Sequence, residues 1–269
     1  MTIIESIVLG AVQGLTEFLP VSSTGHLILT RTLFDIIDSN ALAFDAVLHL
    51  ATATAVIVYF RNDLWQLAQT GMRKLGKLPV NQRDETLLYA LLIATIPAVI
   101  LGLLLESFME SVFRSPLLVA TVLIAGSGLF IYAEWMYVHK PQENIMTVKK
   151  GLKIGLFQTL ALIPGMSRAG ATISGGMLLG LSRVESARFS FLLAVPVITG
   201  AGLKMFIEMI ISGQSIAWIP VLIGAVISFS VGLSAIHFLL GFVRTHTLWP
   251  FIWYRIILAL FVMFVTIFG

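Results

Sequence analysis

The stretch Glu17-Phe18-Leu19-Pro20-Val21-Ser22-Ser23-Thr24-Gly25-His26 decides how this chain folds. It breaks an apolar run, residues 6–33, with a carboxylate, a proline and a polar string. A membrane-spanning helix needs about 20 apolar residues, and neither half of the run is that long. Each half reads as one arm of a re-entrant helical hairpin that enters the membrane and turns back. At about 1.5 Å rise per residue, an arm of roughly 12–14 residues reaches about 20 Å, past the centre of a ~30 Å hydrocarbon core. The turn then falls near mid-membrane. Residues 151–181 carry the same design, broken by Pro164-Gly165 and then by Ser167-Arg168.

The composition fits. Of 269 residues, 58% are hydrophobic and 12% charged, against about 25% charged in an average soluble domain. The mean hydropathy is +0.96. A globule of this size cannot hide so much apolar surface, so lipid must solvate part of it; a disordered chain is excluded, and the composition is a poor fit to an ordinary soluble enzyme. There are no cysteines, which removes disulfides, zinc–thiolate sites and thiol nucleophiles together. The net charge of +3 reads as basic loop residues of a membrane protein, not as a nucleic-acid surface. The start, Met1-Thr2-Ile3-Ile4-Glu5, has no basic region of the kind that opens a cleavable signal peptide.

Six runs are expected to span: 43–60, 86–105, 115–133, 189–211, 216–243 and 249–268. Residues 61–85 read as a solvated loop. If both hairpins return to their own side, most lysines and arginines share one face: those of 61–85, 138–153 and 183–188, with Arg244. Arg31 and Arg114 fall on the other face, with Lys204 nearer to it. The positive-inside rule makes the first face cytoplasmic, so the first hairpin opens outward and the second inward.

The two hairpins look related. At a shift of 145, Gln13 falls on Gln158, Ser22 on Ser167, Gly25 on Gly170 and Phe44 on Phe189. At a shift of 130, Leu92, Ile93, Gly102 and Leu103 fall on Leu222, Ile223, Gly232 and Leu233. The expected architecture is an all-α integral membrane domain, 1–269, of six spans and two re-entrant hairpins. Repeat one covers about 1–137 and repeat two about 150–269. Three spans per half give opposite topologies, the inverted-repeat plan that places a site at the midplane.

The polar residues of the two turns are the candidate site. Gln13 and Glu17 are four apart and share a helix face. A carboxylate at that depth costs a few kcal/mol on insertion scales, so a proton, a cation or a metal must offset it. The plainer reading is a carboxylate hydrogen-bonded within its turn. Ser22, Ser23 and Thr24 can cap the second arm, and helix N-termini bind phosphate. His26 stands one turn beyond Ser23, although a lone histidine in an apolar helix is commonly structural. Arg168 suits a phosphate dianion, with Thr172 on its face, although an Arg168–Glu17 pair could simply join the hairpins. Asp45 and His49 either line the site or lie at the interface. Lys204 and Glu208 read as a helical ion pair, and Arg255 as a residue that snorkels inward. Trp135, Tyr137, Trp249, Trp253 and Tyr254 read as interface anchors.

The segment Gln13-Gly14-Leu15-Thr16-Glu17-Phe18-Leu19-Pro20-Val21-Ser22-Ser23-Thr24-Gly25-His26 resembles the first motif of the undecaprenyl-diphosphate phosphatases of the bacitracin-resistance type. Pro164-Gly165-Met166-Ser167-Arg168-Ala169-Gly170-Ala171-Thr172-Ile173-Ser174-Gly175-Gly176 resembles the second, and Phe189-Ser190-Phe191-Leu192-Leu193-Ala194-Val195-Pro196 also fits. The resemblance covers essentially the whole chain. It implies a bacterial inner-membrane enzyme that converts undecaprenyl diphosphate to the monophosphate carrier of cell-wall synthesis, using a divalent metal. Where the family has Glu or Gln at the first motif position, this chain has Gln13, so the metal, Mg²⁺ or Ca²⁺, rests on Glu17. Ala169 stands where some members have Ser.

On that reading Ser23 is the nucleophile, His26 its base or proton shuttle, and Arg168 the charge that stabilises the transition state. Gln13, Ser22, Thr24, Ser167 and Thr172 bind or orient the substrate. The partners are a polyprenyl diphosphate and membrane lipids. No nucleic acid is expected, and a homodimer is compatible. The rival reading is a polyprenyl-phosphate flippase or transporter on the same inverted repeats, or a protein with both roles. A purely structural membrane protein leaves Glu17, His26 and Arg168 without a purpose.

Overall fold

The computed structural model describes residues 1–36, 41–105, 115–211 and 217–268. Arg114 and residue 216, the expected start of one span, lie outside the described residues. Eleven α-helices and one short 3₁₀ turn make up the described structure, with no strand among the described residues. In chain order they are α1 Ile3–Phe18, α2 Ser23–Leu33, α3 Ala41–Tyr59, α4 Arg61–Leu75, α5 Gln82–Leu104, α6 Pro116–His139, α7 Val148–Thr159, α8 Arg168–Leu178, α9 Arg183–Ile211, α10 Trp218–Phe242 and α11 Trp249–Phe268.

Local chemistry sets the helix starts. Thr2 and Glu5 form a reciprocal capping box on α1, with Thr2 N donating to Glu5 Oε2 at 2.7 Å and Glu5 N to Thr2 Oγ1 at 3.2 Å. Asn81 caps α5, Thr147 caps α7, and Pro116 opens α6 where its missing N–H does no harm. Helices α5, α6, α9, α10 and α11 are each long and apolar enough to cross a membrane. A sixth candidate is α3 taken with α4, bent by 81° between them.

The region 61–85 is not wholly a loop, as its charge suggested. Its first fifteen residues are α4, with Asp63 in the first turn and Arg73 and Lys74 in the last, matching the helix dipole. Leu67 and Thr70 face the core. Trp65, Met72 and Leu75 are exposed.

Both expected hairpin turns are helix–turn–helix units. In the first, α1 ends at Leu19 in extended conformation and α2 is capped by Ser22, at φ 78, ψ 98. In the second, α7 tightens into the 3₁₀ turn Leu160–Leu162, Gly165 takes φ +100, and α8 is capped by Ser167, at φ 74, ψ 113. Each cap oxygen accepts from the amide three residues on, Gly25 N at 3.4 Å and Gly170 N at 3.1 Å. A non-glycine residue in this left-handed region costs on the order of 1–3 kcal/mol and survives only where the surroundings hold it.

The first arm of each unit lies close against a long helix through small residues. A Cβ on Gly10 would lie 2.5 Å from Gly224 O of α10, and one on Gly14 2.5 Å from Ser228 O. A Cβ on Gly151 would lie 2.6 Å from Ala90 O of α5, and one on Gly155 would strike Ala94 O. Such small-residue seams let backbones approach where helix packing gains little from the hydrophobic effect.

Gly10→Ala and Gly155→Ala should each destabilise the folded protein by about 1–3 kcal/mol through overpacking. Gly128→Ala, where an added Cβ meets nothing within 4 Å, should be neutral or stabilise by up to about 1 kcal/mol. Thermal unfolding in detergent measures the contrast, and equal midpoints for all three variants would contradict these seams.

Candidate active site

The two turns meet. Ser22 Oγ, besides capping α2, accepts from Gly165 N of the second turn at 3.2 Å. A Cβ on Gly25 would stand 3.7 Å from Gly165 Cα and tighter still against Val119. Residues more than 140 positions apart therefore share one contact.

Glu17 sits at the centre, 7% exposed, in the last turn of α1. Its Oε1 accepts from Arg168 Nη2 at 2.9 Å. Its Oε2 accepts from Ser23 Oγ at 2.6 Å and from Gln13 Nε2 at 3.1 Å. Gln13 Nε2 also lies 3.0 Å from His49 Nδ1, which places His49 of α3 at 3.8 Å from the carboxylate. The expected constellation of Gln13, Glu17, Ser23 and Arg168 is thus assembled, with His49 added to it. Asp45 is engaged elsewhere, gripped by both Nη atoms of Arg31 at 2.6 and 2.9 Å.

Arg168 is the first residue of α8 and is braced from behind. Its Nη1 donates to Ser190 O at 3.1 Å, and its Nη2 also reaches Glu17 O at 3.4 Å. Thr172 donates to Arg168 O at 2.8 Å and lies 2.6 Å from Ser190 Oγ. Thr172 lies on the Arg168 face as its spacing suggests, but it is 1% exposed and packs against Ser190 rather than presenting the substrate-binding hydroxyl the resemblance implies. Ser190 was not singled out, although it lies in the 189–196 run. A guanidinium carries five N–H bonds, so among the described residues Nε–H and one Nη1–H of Arg168 have no partner and remain for a ligand.

The expected Ser23–His26 pair does not form. His26 Nδ1 lies 2.7 Å from Ser22 O, and His26 Nε2 lies 2.7 Å from the Tyr254 hydroxyl of α11. A helical side chain leans back over the preceding turn, which carries the ring to the carbonyl four residues earlier and past Ser23. The group hydrogen-bonded to Ser23 is Glu17.

The start of each short helix leaves donors free. The N–H groups of Ser22, Ser23 and Thr24, and of Ser167, Arg168 and Ala169, donate to no other group among the described residues. Thr24 is exposed, and Ser167 is a buried cap. Two helix N-termini thus present unpaired amides beside one guanidinium and one hydroxyl, a set suited to phosphate oxygens.

The last helix supplies one residue that sequence reasoning misread and one whose partner it did not name. Tyr254 reads as an interface anchor but bonds His26. Arg255 does not snorkel; it is 0% exposed. Its Nη1 donates to Met166 O at 3.2 Å, its Nη2 to Gly165 O at 3.0 Å and Leu123 O at 3.1 Å, and its Nε to Ser127 Oγ at 3.2 Å.

Long apolar helices, broken helices meeting turn to turn, and a buried carboxylate–hydroxyl–guanidinium cluster define a helical membrane-type protein with an anion-handling centre. Residues 6–261 match the family described as "Bacitracin resistance protein BacA", and the chain belongs to that family. A protein of Trichlorobacter lovleyi named undecaprenyl-diphosphatase is 41% identical over 268 residues, covering 98% of this chain and 97% of its own. Proteins of the same name from Rubrobacter xylanophilus, 41% identical over 262 residues, and Moorella thermoacetica, 42% over 260, each cover 96% of both chains.

Breaking a buried ion pair from one side leaves an uncompensated charge, at about 3–5 kcal/mol. Glu17→Ala should therefore lower stability by about that much, whereas Glu17→Gln combined with Arg168→Met should lose clearly less than the sum of the two single changes. Additive losses in a double-mutant unfolding cycle would mean that the pair does not join the turns.

Proposed function

We propose that the protein hydrolyses undecaprenyl diphosphate to undecaprenyl phosphate and inorganic phosphate, as the names of its relatives indicate for them. The observation that carries this reading is the Glu17–Arg168 pair, set beside Ser23 between two helix N-termini with unclaimed amides. The protein is a multi-pass enzyme of the bacterial inner membrane, recycling the cell-wall lipid carrier. The lipid tail lies between spans and the diphosphate enters from the outer face.

Symmetry supports that placement. The caps Ser22 and Ser167 share one unusual backbone conformation and stand 145 residues apart. Gly10 and Gly155 share that spacing, and their partners Gly224 and Ala94 stand 130 apart, the same two shifts the sequence shows. These matches favour two halves of inverted topology, each a re-entrant hairpin and three spans. Helix α4, turned 81° from α3, with Trp65 and Met72 exposed, has the form of an interfacial helix on the basic side. That side is then cytoplasmic, and the first turn opens outward.

In the reaction Ser23 Oγ attacks the terminal phosphorus and its proton passes to Glu17 Oε2, already hydrogen-bonded to it. The bond from that phosphorus to the bridging oxygen breaks, and undecaprenyl phosphate leaves. Water then attacks the phosphoserine, releasing phosphate and returning the proton to Ser23. Phosphoryl transfer has a loose transition state that asks little of a base. Charge stabilisation by Arg168 and the free amides is the main contribution. Arg168 keeps Nε–H and one Nη1–H for the phosphate while still holding Glu17.

The donor set also fits a hard divalent cation, Mg²⁺ or Ca²⁺. Gln13 Oε1 is buried with no hydrogen-bond partner beside the Glu17 carboxylate, and hard cations take oxygen ligands. Glu17, with Gln13 and Ser23, would hold it, and it would neutralise phosphate charge. No group of three or more His, Cys, Asp or Glu suited to a metal occurs among the described residues, so substrate oxygens would have to complete its shell.

Phosphate release from undecaprenyl diphosphate by purified protein tests the reading. Glu17→Ala and Arg168→Ala should each lower kcat/KM by about 10²–10³ or more, and Ser23→Ala comparably. Chelation should abolish turnover and Mg²⁺ or Ca²⁺ restore it. Lipid binding without phosphate release by the wild type would favour the transporter reading, to which the inverted repeats are equally suited.

A further inference from the structure

Tyr254 and Arg255 are consecutive on α11, yet each grips a different turn. Tyr254 reaches His26 of α2, on the first turn. Arg255 reaches the Gly165 and Met166 carbonyls of the second turn. No other adjacent pair outside the two turns, among the described residues, touches both of them through side-chain hydrogen bonds. Neither contact is explained by the phosphatase chemistry above.

Arg255 is an expensive residue for stability alone. A fully buried cation normally has a carboxylate partner, but this one has three carbonyls, one hydroxyl and the Phe130 ring, 4.6 Å from its guanidinium carbon. Space is kept for it: a Cβ on Gly126 would strike its Nη2. What it holds is the peptide just before Ser167. In a trans peptide the N–H points opposite to the C=O. With Met166 O turned onto Arg255, the Ser167 N–H is turned away from it and polarised by the bound cation. That N–H is one of the unclaimed amides at the start of α8.

Tyr254 acts on the other turn in a comparable way. Ser22 O can only accept, so His26 Nδ1 carries the proton. In the neutral ring Nε2 is then an acceptor, and the Tyr254 hydroxyl donates to it. The two rings are stacked, with an interplanar angle of 8° and centroids 5.6 Å apart. His26 in turn ties off the carbonyl of Ser22, the strained residue whose Oγ bridges to Gly165.

We propose that Tyr254 and Arg255 are positioning residues of the phosphatase site, a two-residue clamp that sets the two turns against each other so that their free amides face one phosphate. The proposal rests on the phosphatase reading. Arg255 fixes the second turn and the direction of the Ser167 amide. Tyr254 fixes the rotation of His26, and through His26 the carbonyl of Ser22. Neither touches the substrate.

The test is steady-state phosphate release from undecaprenyl diphosphate by full-length protein in detergent, with wild type run alongside. Tyr254→Phe keeps the ring and removes one hydroxyl, at a half-exposed position where folding is not at risk. It should lower kcat about tenfold, the effect of one hydrogen bond, and leave KM within about twofold. In a His26→Ala background the same change should have no further effect, because Tyr254 acts through His26. Arg255→Lys keeps the charge but cannot serve four acceptors. It should lower kcat further than Tyr254→Phe does, with helix content and elution volume unchanged. Wild-type turnover with an unaltered Tyr254→Phe variant, or equal Tyr254→Phe losses with and without His26, would overturn the clamp. No turnover by the wild type would instead overturn the phosphatase reading itself.

Discussion

The structure depends on one buried ion pair. Glu17 and Arg168 stand 151 residues apart and sit 6% and 12% exposed at the side chain. Neither charge is tolerable alone when so buried. Because each belongs to a different turn, the requirement that they neutralise each other is also the requirement that the two turns meet. Each ion has further partners: Ser23 and Gln13 on the carboxylate, Ser190 O on the guanidinium. The pair is thus pinned on both sides, with two hydrogens of Arg168 left over. On the proposed function a phosphate would join this arrangement without first breaking it, so the interaction that holds the turns together would also serve the chemistry.

The backbone follows the same economy of donors. Helices can stop inside an apolar medium only if the freed N–H and C=O groups find partners. Most do: Ser22 Oγ takes two amides, Ser167 Oγ takes one, and Arg255 satisfies the second turn's carbonyls. The exceptions are grouped. A buried donor left unmade costs about 1–3 kcal/mol, and the unpaired amides lie at the starts of α2 and α8, beside Ser23 and Arg168. Their concentration beside the two residues best suited to phosphate is a stronger statement than any single helix terminus would be.

Much of this was legible in one dimension because charge in an apolar run demands explanation. Glu17, Pro20 and the serines broke one run, Pro164 and Arg168 the other, and the residues that assemble the centre were named from that alone. The long apolar helices were legible for the same reason. What the sequence hid were contacts with no period. Nothing in the spacing of residues 26 and 254 links them, and Arg255 among aromatic residues looks like a snorkelling cation until Met166 is seen beneath it. Spacing misled once: Ser23 and His26 are three apart on α2, but the lean of a helical side chain sends the ring to Ser22 O. Helix α4 was missed because its apolar positions are too few to form a run, though its end charges match a helix dipole.

The shift of 145 that superposes the caps also places Ser23 on Arg168, each the first residue of its short helix. Two positions related by that shift thus hold a hydroxyl and a cation. Both reach one carboxylate, Ser23 at Oε2 and Arg168 at Oε1. Position 162, which answers to Glu17, is leucine, so the second half brings no carboxylate of its own. A perfectly symmetric centre would put two cations or two hydroxyls around the anion and could bind it but not divide it. Phosphoryl transfer needs a nucleophile on one side and charge stabilisation on the oxygens. On the proposed mechanism the difference between Ser23 and Arg168 would supply both, with Glu17 hydrogen-bonded to each.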